Sequence, residues 1–330
     1  MRMLSATAAL LVGAAMCVTG TAATGEEKAP EVGAVDALQT VFGKHPGMRA
    51  NHAKGIVLEG TFTPAPEAAK LSKAALFAGP AVKTTIRFSD PTGNPAVADN
   101  DPSANPHGIA AKFALADKSE MDMVMISTKT FPLANAGEFR DLFLAIAATK
   151  PDSPKPTPVE RFIGTHPSLK NWIETMPATP ESLATEAYYG LNAFRLVSKS
   201  GEKTNVRFRF IPVAGEMRLK PDDLKTKSAT FLMDDIKVRA VAGNAKFKLV
   251  AQIGAKDDPT NDVLKSWPED RQLVTLGELS IATPVADSAT AEKALVFMPT
   301  NLTDGIEASD DPMIASRAGA YAESLGRRSN

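Results

Sequence analysis

Four short β-rich runs between residues 55 and 128 constrain the fold of this chain more than any other feature. Gly, Pro, Asn and Asp separate these runs, which read GIVLEGTF (55–62), KTTIRFSD (83–90), GIAAKFAL (108–115) and MDMVMIST (121–128). Runs of this length and composition, bounded by turn residues, predict β-strands. The methionines of the last run alternate along it, so they share one face of a strand and are expected to fill the core.

A second set of strand-like runs occurs in the other half of the chain. A hairpin is predicted within residues 188–213, with its turn at Ser200 and Gly201, and single strands are predicted for residues 247–255 and 273–281. Strands outnumber helices in both halves and are not spaced as parallel βαβ units. We therefore expect an α+β fold, an antiparallel β-barrel with flanking helices.

Two segments have helical character. In residues 136–150 large apolar side chains recur at i, i+3, i+4 and i+7, and residues 310–328 begin with acids and end with arginines, as the helix dipole favours. Residues 151–162 are rich in proline and are expected to be extended. Residues 228–243 are of mixed character, with a helix possible at their start.

The first 23 residues have the order of a secretory signal. A short basic start precedes an apolar run, and small residues then lead to an expected cleavage site near Ala22 or Ala23. The apolar run is nearer about 15 residues than the roughly 20 that span a membrane. We therefore expect residues 1–23 to be removed, residues 24–330 to form a single domain, and the protein to be exported to the periplasm.

Composition excludes several classes of function. The formal net charge of −1 is shared among scattered charges, with no basic run for nucleic acid. Cys17, the single cysteine, falls within the predicted signal, so the mature chain has no thiol for catalysis or metal binding. His45, His107 and His166 neighbour prolines, are interpreted as loop residues and show no metal-ligand spacing. No nucleophile elbow, P-loop or dinucleotide-binding motif is present.

Three residues remain as candidates for chemistry. His52 stands at the start of a predicted strand, where a histidine is more often structural than catalytic. Arg317 and Tyr321 are four residues apart, which makes them neighbours on a helix. A guanidinium beside a phenol favours the phenolate, by an attraction on the order of 4 kcal/mol at roughly 4 Å and an effective dielectric constant near 20. From spacing alone, a helix-surface pair is a more common explanation of these two residues than an iron ligand.

Seven motifs, taken together in their order, resemble those of the haem catalases. They are RANHAKG (49–55), TIRFS (85–89), NPHGIAAKF (105–113), DMV (122–124), YGLNAFRLV (189–197), PTNLTDGIEASD (299–310) and RAGAY (317–321). The match covers residues 40–328, which is nearly all of the mature chain. The chain resembles in particular the small, exported catalase-related peroxidases, which lack the C-terminal helical domain of full-size catalases. The resemblance implies a catalase-like antiparallel barrel with flanking helices.

The resemblance also implies the reacting residues. Tyr321 matches the proximal ligand of the haem iron, held as phenolate by Arg317. His52 matches the distal histidine, which takes a proton from one peroxide oxygen and returns it to the other. An imidazole with an ordinary pKa near 6.5 is suited to both steps near neutrality. Ser89 matches the serine that orients this ring by a hydrogen bond.

Four further residues match positions around the cofactor, which the resemblance implies to be one haem b per chain. Arg49, Arg87 and Arg328 match the arginines that contact the haem propionates. Guanidinium groups suit that contact because they pair with carboxylates in a bidentate way. Phe139 matches the phenylalanine that lies over the haem plane. NADPH is not expected, since part of its site in large catalases belongs to the absent domain.

Three positions depart from the catalase pattern. Ile126 holds the place of the distal asparagine, and an isoleucine cannot hydrogen-bond a peroxide. His107 stands where an arginine is expected, and Asn192 where a histidine is expected. These substitutions favour a peroxidase that uses an external electron donor, a small molecule or a redox protein, and that has weak catalase activity at most.

Two alternatives keep the fold. An allene oxide synthase-like isomerase of fatty hydroperoxides would need a long apolar channel and no electron donor. A non-enzymatic periplasmic haem carrier would need only Tyr321 and the propionate arginines, so the presence of Arg49, His52 and Ser89 together argues against it. The sequence leaves open the electron donor and whether the protein is a monomer or a homo-oligomer.

Overall fold

Eight antiparallel strands pair in a closed ring within residues 28–329, the part of the chain that the computed structural model describes. Around the ring they are β1 (Gly55–Pro64), β2 (Val82–Ser89), β3 (Gly108–Ala114), β4 (Glu120–Ile126), β5 (Tyr188–Tyr189), β7 (Lys203–Pro212), β8 (Ala245–Ile253) and β9 (Leu273–Pro284). The barrel closes because β9 pairs with β1 and β7 pairs with β8. Outside the ring, β6 (Phe194–Val197) pairs with β7, and β10 (Ile306–Ala308) pairs with β6.

Helices occupy the intervals between the strands. In chain order they are α1 (Pro30–Phe42), α2 (Ala68–Leu71), α3 (Ala75–Ala78), α4 (Ala136–Ala148), α5 (Pro158–Thr165), α6 (Pro167–Glu174), α7 (Pro221–Lys225), α8 (Phe231–Val241), α9 (Ser288–Ala294) and α10 (Pro312–Ser329). Short 3₁₀ turns lie at Pro102–Ala104 and Leu183–Thr185. From residue 28 to residue 329, no helix combines the length and the apolar character that crossing a membrane requires.

The inside of the barrel holds the main hydrophobic core. Aromatic side chains from successive strands fill it, among them Phe62, Phe88, Phe113, Phe210 and Phe247. Each such side chain contributes roughly 1.5–3 kcal/mol by leaving water. The three alternating methionines of β4 are buried in the same core, which confirms the prediction; they are Met121, Met123 and Met125.

The outer face of β2, β3 and β4 is shaped by the strand alternation. Phe88 points into the core, so its neighbours Arg87 and Ser89 point outward. The strand register places Ser89 beside Gly108 and Gly108 beside Ile126, so these three residues form a row on the outer face. Small residues on β3 leave this face hollow.

Three helices cover the hollow face of the barrel. Helix α1 packs on α4, where the rings of Phe42 and Phe143 lie 5.8 Å apart. It also contacts α10, since Arg327 forms a 2.8 Å ion pair with Asp36. The helices do not fill the space beneath them, and a cavity remains between α1, α4, α10 and the barrel.

Most predicted elements are confirmed, and one is wrong in part. The strands of both halves, the hairpin at Gly201 and the helices α4 and α10 all form. The segment 151–162 is not extended throughout, because α5 begins at Pro158. Proline is tolerated in the first turn of a helix, and Thr157 and Glu160 form a capping box there. Residues 228–243 form helix α8 over most of their length. The predicted signal lies outside the described residues.

Candidate active site

The cavity brings together all eight residues that the sequence singled out. Its lining includes Arg49, His52, Arg87, Ser89, Phe139, Arg317, Tyr321 and Arg328. The rest of the lining is largely apolar, with Val35 and Leu38 from α1, Val124 and Ile126 from β4, and Phe131. A few polar groups in an apolar cavity are typical of a ligand site.

His52 and Ser89 form a hydrogen-bonded pair in this lining. Ser89 ends β2, and His52 Nδ1 lies 3.0 Å from Ser89 Oγ. This contact leaves Nε2 as the ring nitrogen that is free to exchange a proton with a ligand. The third neighbour is Gly108, where an added β-carbon would lie 3.1 Å from His52 Cε1 and 3.0 Å from Ser89 Oγ. The glycine therefore makes room for the imidazole against the barrel wall.

The backbone at His52 departs from the sequence prediction. His52 does not begin a strand: it lies three residues before β1, in a bend, with φ of 54°. This left-handed conformation is uncommon outside glycine, although histidine is among the residues enriched there. It costs on the order of 1 kcal/mol and clusters at functional sites.

The electrostatic surroundings of His52 also differ from the sequence expectation. Burial of the imidazole, followed by the positive charges of Arg87, Arg49 and Arg317, lowers the pKa of His52 to about 3. The pKa of His52 in this cavity thus lies below the ordinary imidazole value near 6.5. The ring is therefore neutral across the physiological range and has a nitrogen lone pair that can accept a proton.

Three arginines surround a single carboxylate at one edge of the cavity. Glu292 of α9 lies 3.1 Å from Arg49 Nη1 and 2.7 Å from Arg87 Nη2. Arg49 and Arg328 both donate to the backbone carbonyl of Leu295 at 2.6 Å. Burial, followed by the charges of Arg87 and Arg328, lowers the pKa of Arg49 to about 8. The cluster thus holds an excess of positive charge.

Arg317 and Tyr321 meet on α10 as their spacing predicts. Arg317 donates to Tyr321 Oη from Nη2 at 3.1 Å and from Nε at 3.4 Å. Its Nη1 donates to Asn192 Oδ1 at 2.5 Å, and Asn192 Nδ2 donates to Asp311 Oδ2 at 2.7 Å. Asn192 and Asp311 are buried. A chain of hydrogen bonds therefore fixes the guanidinium against the phenol oxygen.

The interpretation of His107 as a loop residue did not predict that its side chain is buried beside a carboxylate. His107 is fully buried, and its Nδ1 lies 2.8 Å from Glu186 Oε2. Burial alone lowers the pKa of His107, but Glu186, Asp90 and Asp99 outweigh it and raise that pKa. Asp90 Oδ2 lies 3.5 Å from Lys54 Nζ, and within residues 28–329 neither carboxylate oxygen of Asp90 accepts a closer hydrogen bond. Glu186 is 79 residues away in sequence, so no local pattern could pair it with His107.

The cavity between the barrel and the helices holds an imidazole–serine pair and an arginine–tyrosine pair. Comparison with known proteins identifies the class of protein that this fold and site define. The sequence profile of the catalase family matches residues 31–329. A catalase-related peroxidase of Mycolicibacterium paratuberculosis is 34% identical to this chain, over 89% of it and 93% of that protein. One of Synechococcus elongatus is 31% identical, over 98% of this chain and 95% of that protein. The chain belongs to the catalase family.

Full-size catalases match over only part of their length. The catalase of Pseudomonas syringae is 27% identical to this chain, which covers 56% of that protein. The crystal structure of a fungal catalase superposes with a TM-score of 0.76 at 20% identity, over 86% of this chain and 60% of that one. This likeness confirms the predicted catalase-like barrel with flanking helices.

Proposed function

We propose that this protein is a haem-dependent peroxidase that reduces hydrogen peroxide or organic hydroperoxides with an external electron donor. The observation that carries the proposal is that the His52–Ser89 pair and the Arg317–Tyr321 pair line one cavity. Relatives named catalase-related peroxidases, which this chain covers by more than nine-tenths of their length, support the same reaction.

The charges of the cavity fit a haem. The guanidinium groups of Arg49, Arg87 and Arg328 have Glu292 as their one carboxylate among the described residues, which leaves two positive charges in excess. Two propionate carboxylates would balance this excess, and unpaired buried charges are costly. Arg87 and Arg328 each have a buried Nε without a hydrogen-bond partner in residues 28–329, so the protein alone does not pair either guanidinium fully.

The shape of the cavity fits the same group. On the outer face of β3, the small residues Gly108 and Ala110 line the cavity, and Val124 of β4 lies beside Ala110. Phe139 of α4 faces the same space. A planar apolar ring with two charged arms matches an apolar slot that ends in arginines. Tyr321 would hold the iron, since a phenolate oxygen is a recognised axial ligand.

The chain's own groups account for the proton transfers. Haem iron, when bound, would supply the electron transfer that splits the oxygen–oxygen bond. His52, neutral at pH 7, would take the proton from one peroxide oxygen and return it to the other oxygen, which leaves as water or alcohol. Ser89 holds the ring in one orientation throughout. Ile126 lines the cavity without a hydrogen-bonding group, so we propose weak turnover of a second peroxide, and hence weak catalase activity at most.

We place this reaction outside the cytoplasm, in the periplasm. The support is the signal-like sequence of residues 1–23. Peroxide detoxification there would protect exported proteins, and the electron donor would be a small molecule or a redox protein.

The test is the ferric absorption spectrum of haem-replete protein before and after one equivalent of hydrogen peroxide. We expect a tyrosinate-type high-spin spectrum that changes on addition of peroxide and returns when a donor such as guaiacol is added. Tyr321→Phe is expected to alter the ferric spectrum, and His52→Ala to retain haem but lose the fast reaction. The exposed change Asn171→Leu serves as a control that should alter neither.

The two alternatives give distinct outcomes, the first of them in an assay with a fatty hydroperoxide in place of hydrogen peroxide. An isomerase would convert a fatty hydroperoxide completely with no donor present. A haem carrier would bind haem but show the same spectrum before and after peroxide, in both the wild-type protein and His52→Ala. Protein that binds no haem would overturn the proposal altogether.

A further inference from the structure

Asn51 lines the cavity beside His52 with a side-chain amide that makes no hydrogen bond to the described residues. Its Oδ1 is buried without a partner, whereas the residue as a whole is partly exposed. A buried amide oxygen without a partner costs about 1–3 kcal/mol, so such groups call for an explanation. The amide N–H₂ is the part of this side chain that is left open to a ligand in the cavity.

The backbone explains how two consecutive side chains reach the same space. In a strand, neighbouring residues point to opposite faces. Here residues 49–52 precede β1 in a bend, His52 has φ of 54°, and all four residues line the cavity. The left-handed turn thus places the Asn51 amide and the His52 imidazole on one wall. Strain of this kind points to a functional role for the residues that it positions.

Three asparagines of the described residues line the cavity, and Asn51 is the one whose side-chain amide makes no hydrogen bond to those residues. Asn135 accepts from the backbone N–H of Glu138 at 2.9 Å and so caps α4. Asn192 is held between Arg317 and Asp311. Ile126, at the position where the family pattern has an amide, presents only hydrocarbon to the cavity.

We propose that Asn51 binds the peroxide: its amide N–H donates a hydrogen bond to the oxygen that His52 deprotonates, in place of the amide that Ile126 lacks. This inference rests on the proposed function and adds a substrate-binding residue to it. The hydrogen bond holds the peroxide against His52 and stabilises the negative charge that develops on its oxygen as the proton leaves. No bond to Asn51 is made or broken.

The experiment compares Asn51→Leu with wild type as haem-replete protein. We expect unchanged haem content and an unchanged ferric spectrum, and a bimolecular rate with hydrogen peroxide that is roughly 10- to 100-fold lower. Cyanide, which also accepts a hydrogen bond at this position, is the second probe, and its affinity is expected to fall by roughly tenfold. Asn171→Leu, an exposed substitution on α6, is the matched control.

Two further variants keep the inference testable if the leucine disturbs packing. Asn51→Asp keeps the side-chain shape but has no N–H to donate, and it is expected to show the same losses. In the Asn51→Leu background, Ile126→Asn returns an amide to the cavity and is expected to restore part of the rate.

The outcomes separate this inference from the proposed function. Wild-type peroxide rate and cyanide affinity in both Asn51 variants, with the rate lost in His52→Ala, would overturn the role of Asn51 and leave the peroxidase proposal intact. A rate that His52→Ala also leaves unchanged would overturn both. A loss of rate in the Asn51 variants with unchanged cyanide affinity would assign Asn51 to packing and reject the hydrogen bond.

Discussion

Gly55 and Arg87 touch across β1 and β2 so closely that no side chain fits at the glycine. A β-carbon on Gly55 would lie 2.3 Å from Arg87 Nη2 and 2.6 Å from the backbone carbonyl oxygen of Phe88. The first residue of β1 thus determines where a buried guanidinium of the arginine cluster is held. That guanidinium also donates to the His52 carbonyl at 2.9 Å, so it supports the bend that carries the imidazole.

Gly55→Ala should therefore displace Arg87 and weaken the proposed binding of haem. We expect haem affinity to fall roughly tenfold or more, which corresponds to about 1.4 kcal/mol, because a bidentate guanidinium–carboxylate contact depends on geometry. The measurement is haem transfer to apomyoglobin. Gly164→Ala in α5, where an added β-carbon meets nothing within 4 Å, is the control and should leave haem affinity unchanged. Equal affinities in the two variants would contradict the role assigned to Gly55.

The rate of reaction with peroxide should not fall between pH 8 and pH 5. Burial, followed by the charges of Arg87, Arg49 and Arg317, lowers the pKa of His52 to about 3, so the ring stays neutral over this range. A stopped-flow pH profile checks this, and a loss of rate with a midpoint near pH 6.5 would contradict it.

Below about pH 6.5 the unfolded chain binds a proton at His52 that the folded chain does not. The titration of His52 is therefore expected to lower the free energy of unfolding as the pH falls from about 6.5 toward 3.

Asp90→Asn should stabilise the protein at pH 8. Burial raises the pKa of Asp90 to about 6, against the attraction of His107 and of Lys54. Lys54 Nζ lies 3.5 Å from Asp90 Oδ2, and within residues 28–329 neither carboxylate oxygen accepts a closer hydrogen bond. A raised carboxyl pKa means that the charged form costs stability above pH 6 and that stability returns as the pH falls toward 4. We expect a gain of about 1–3 kcal/mol in the free energy of unfolding at pH 8, measured with urea.

Asp99→Asn is the matched control for Asp90→Asn. Asp99 is equally buried, but its carboxylate accepts hydrogen bonds from Lys54 and from the backbone N–H groups of Leu232 and Met233 at the start of α8. Its neutralisation is expected to destabilise the protein by about 1–3 kcal/mol. Destabilisation of similar size in both variants would refute the distinction between the two carboxylates.

Asn192→Leu should loosen the support of Tyr321. The change removes the acceptor for Arg317 Nη1 and the donor to the buried Asp311, leaving a carboxylate short of a partner. We expect a loss of about 1–3 kcal/mol in the free energy of unfolding and a shifted ferric haem spectrum. Asn192→His provides the comparison, because imidazole can both accept from the arginine and donate to the aspartate. A ferric spectrum that neither variant changes would show that the chain of hydrogen bonds does not reach the phenol.

Prediction from sequence succeeded where the signal is local or repeated. The β-rich runs and the apolar spacing of α4 identified the barrel and its helices, and the four-residue spacing placed Arg317 against Tyr321. Prediction failed where the property of a residue depends on contacts with residues that are distant in the sequence. The start of α5 at Pro158 is a separate case, because the capping box of Thr157 and Glu160 is a local signal that the prediction of an extended segment overlooked. The lowered pKa of His52 depends first on burial of the ring and then on Arg87, Arg49 and Arg317, of which Arg87 and Arg317 are 35 and 265 residues away. The unpaired amide of Asn51 becomes visible only when its neighbours are known.

The cavity is lined by residues that are far apart in the sequence, and this separation affects the order in which the protein can fold. Residues 49–52 form one wall, Arg317 and Tyr321 form another, and β1 must pair with β9 before the barrel closes. Contacts of such long sequence separation are slow to form, since the loop they close carries a large entropic cost. A chain emerging from the ribosome can therefore build hairpins early, but it cannot build the site until its last helix has been made. Any fragment that ends before α10 would be left with an uncovered apolar wall and would be prone to aggregate rather than act as a partial enzyme.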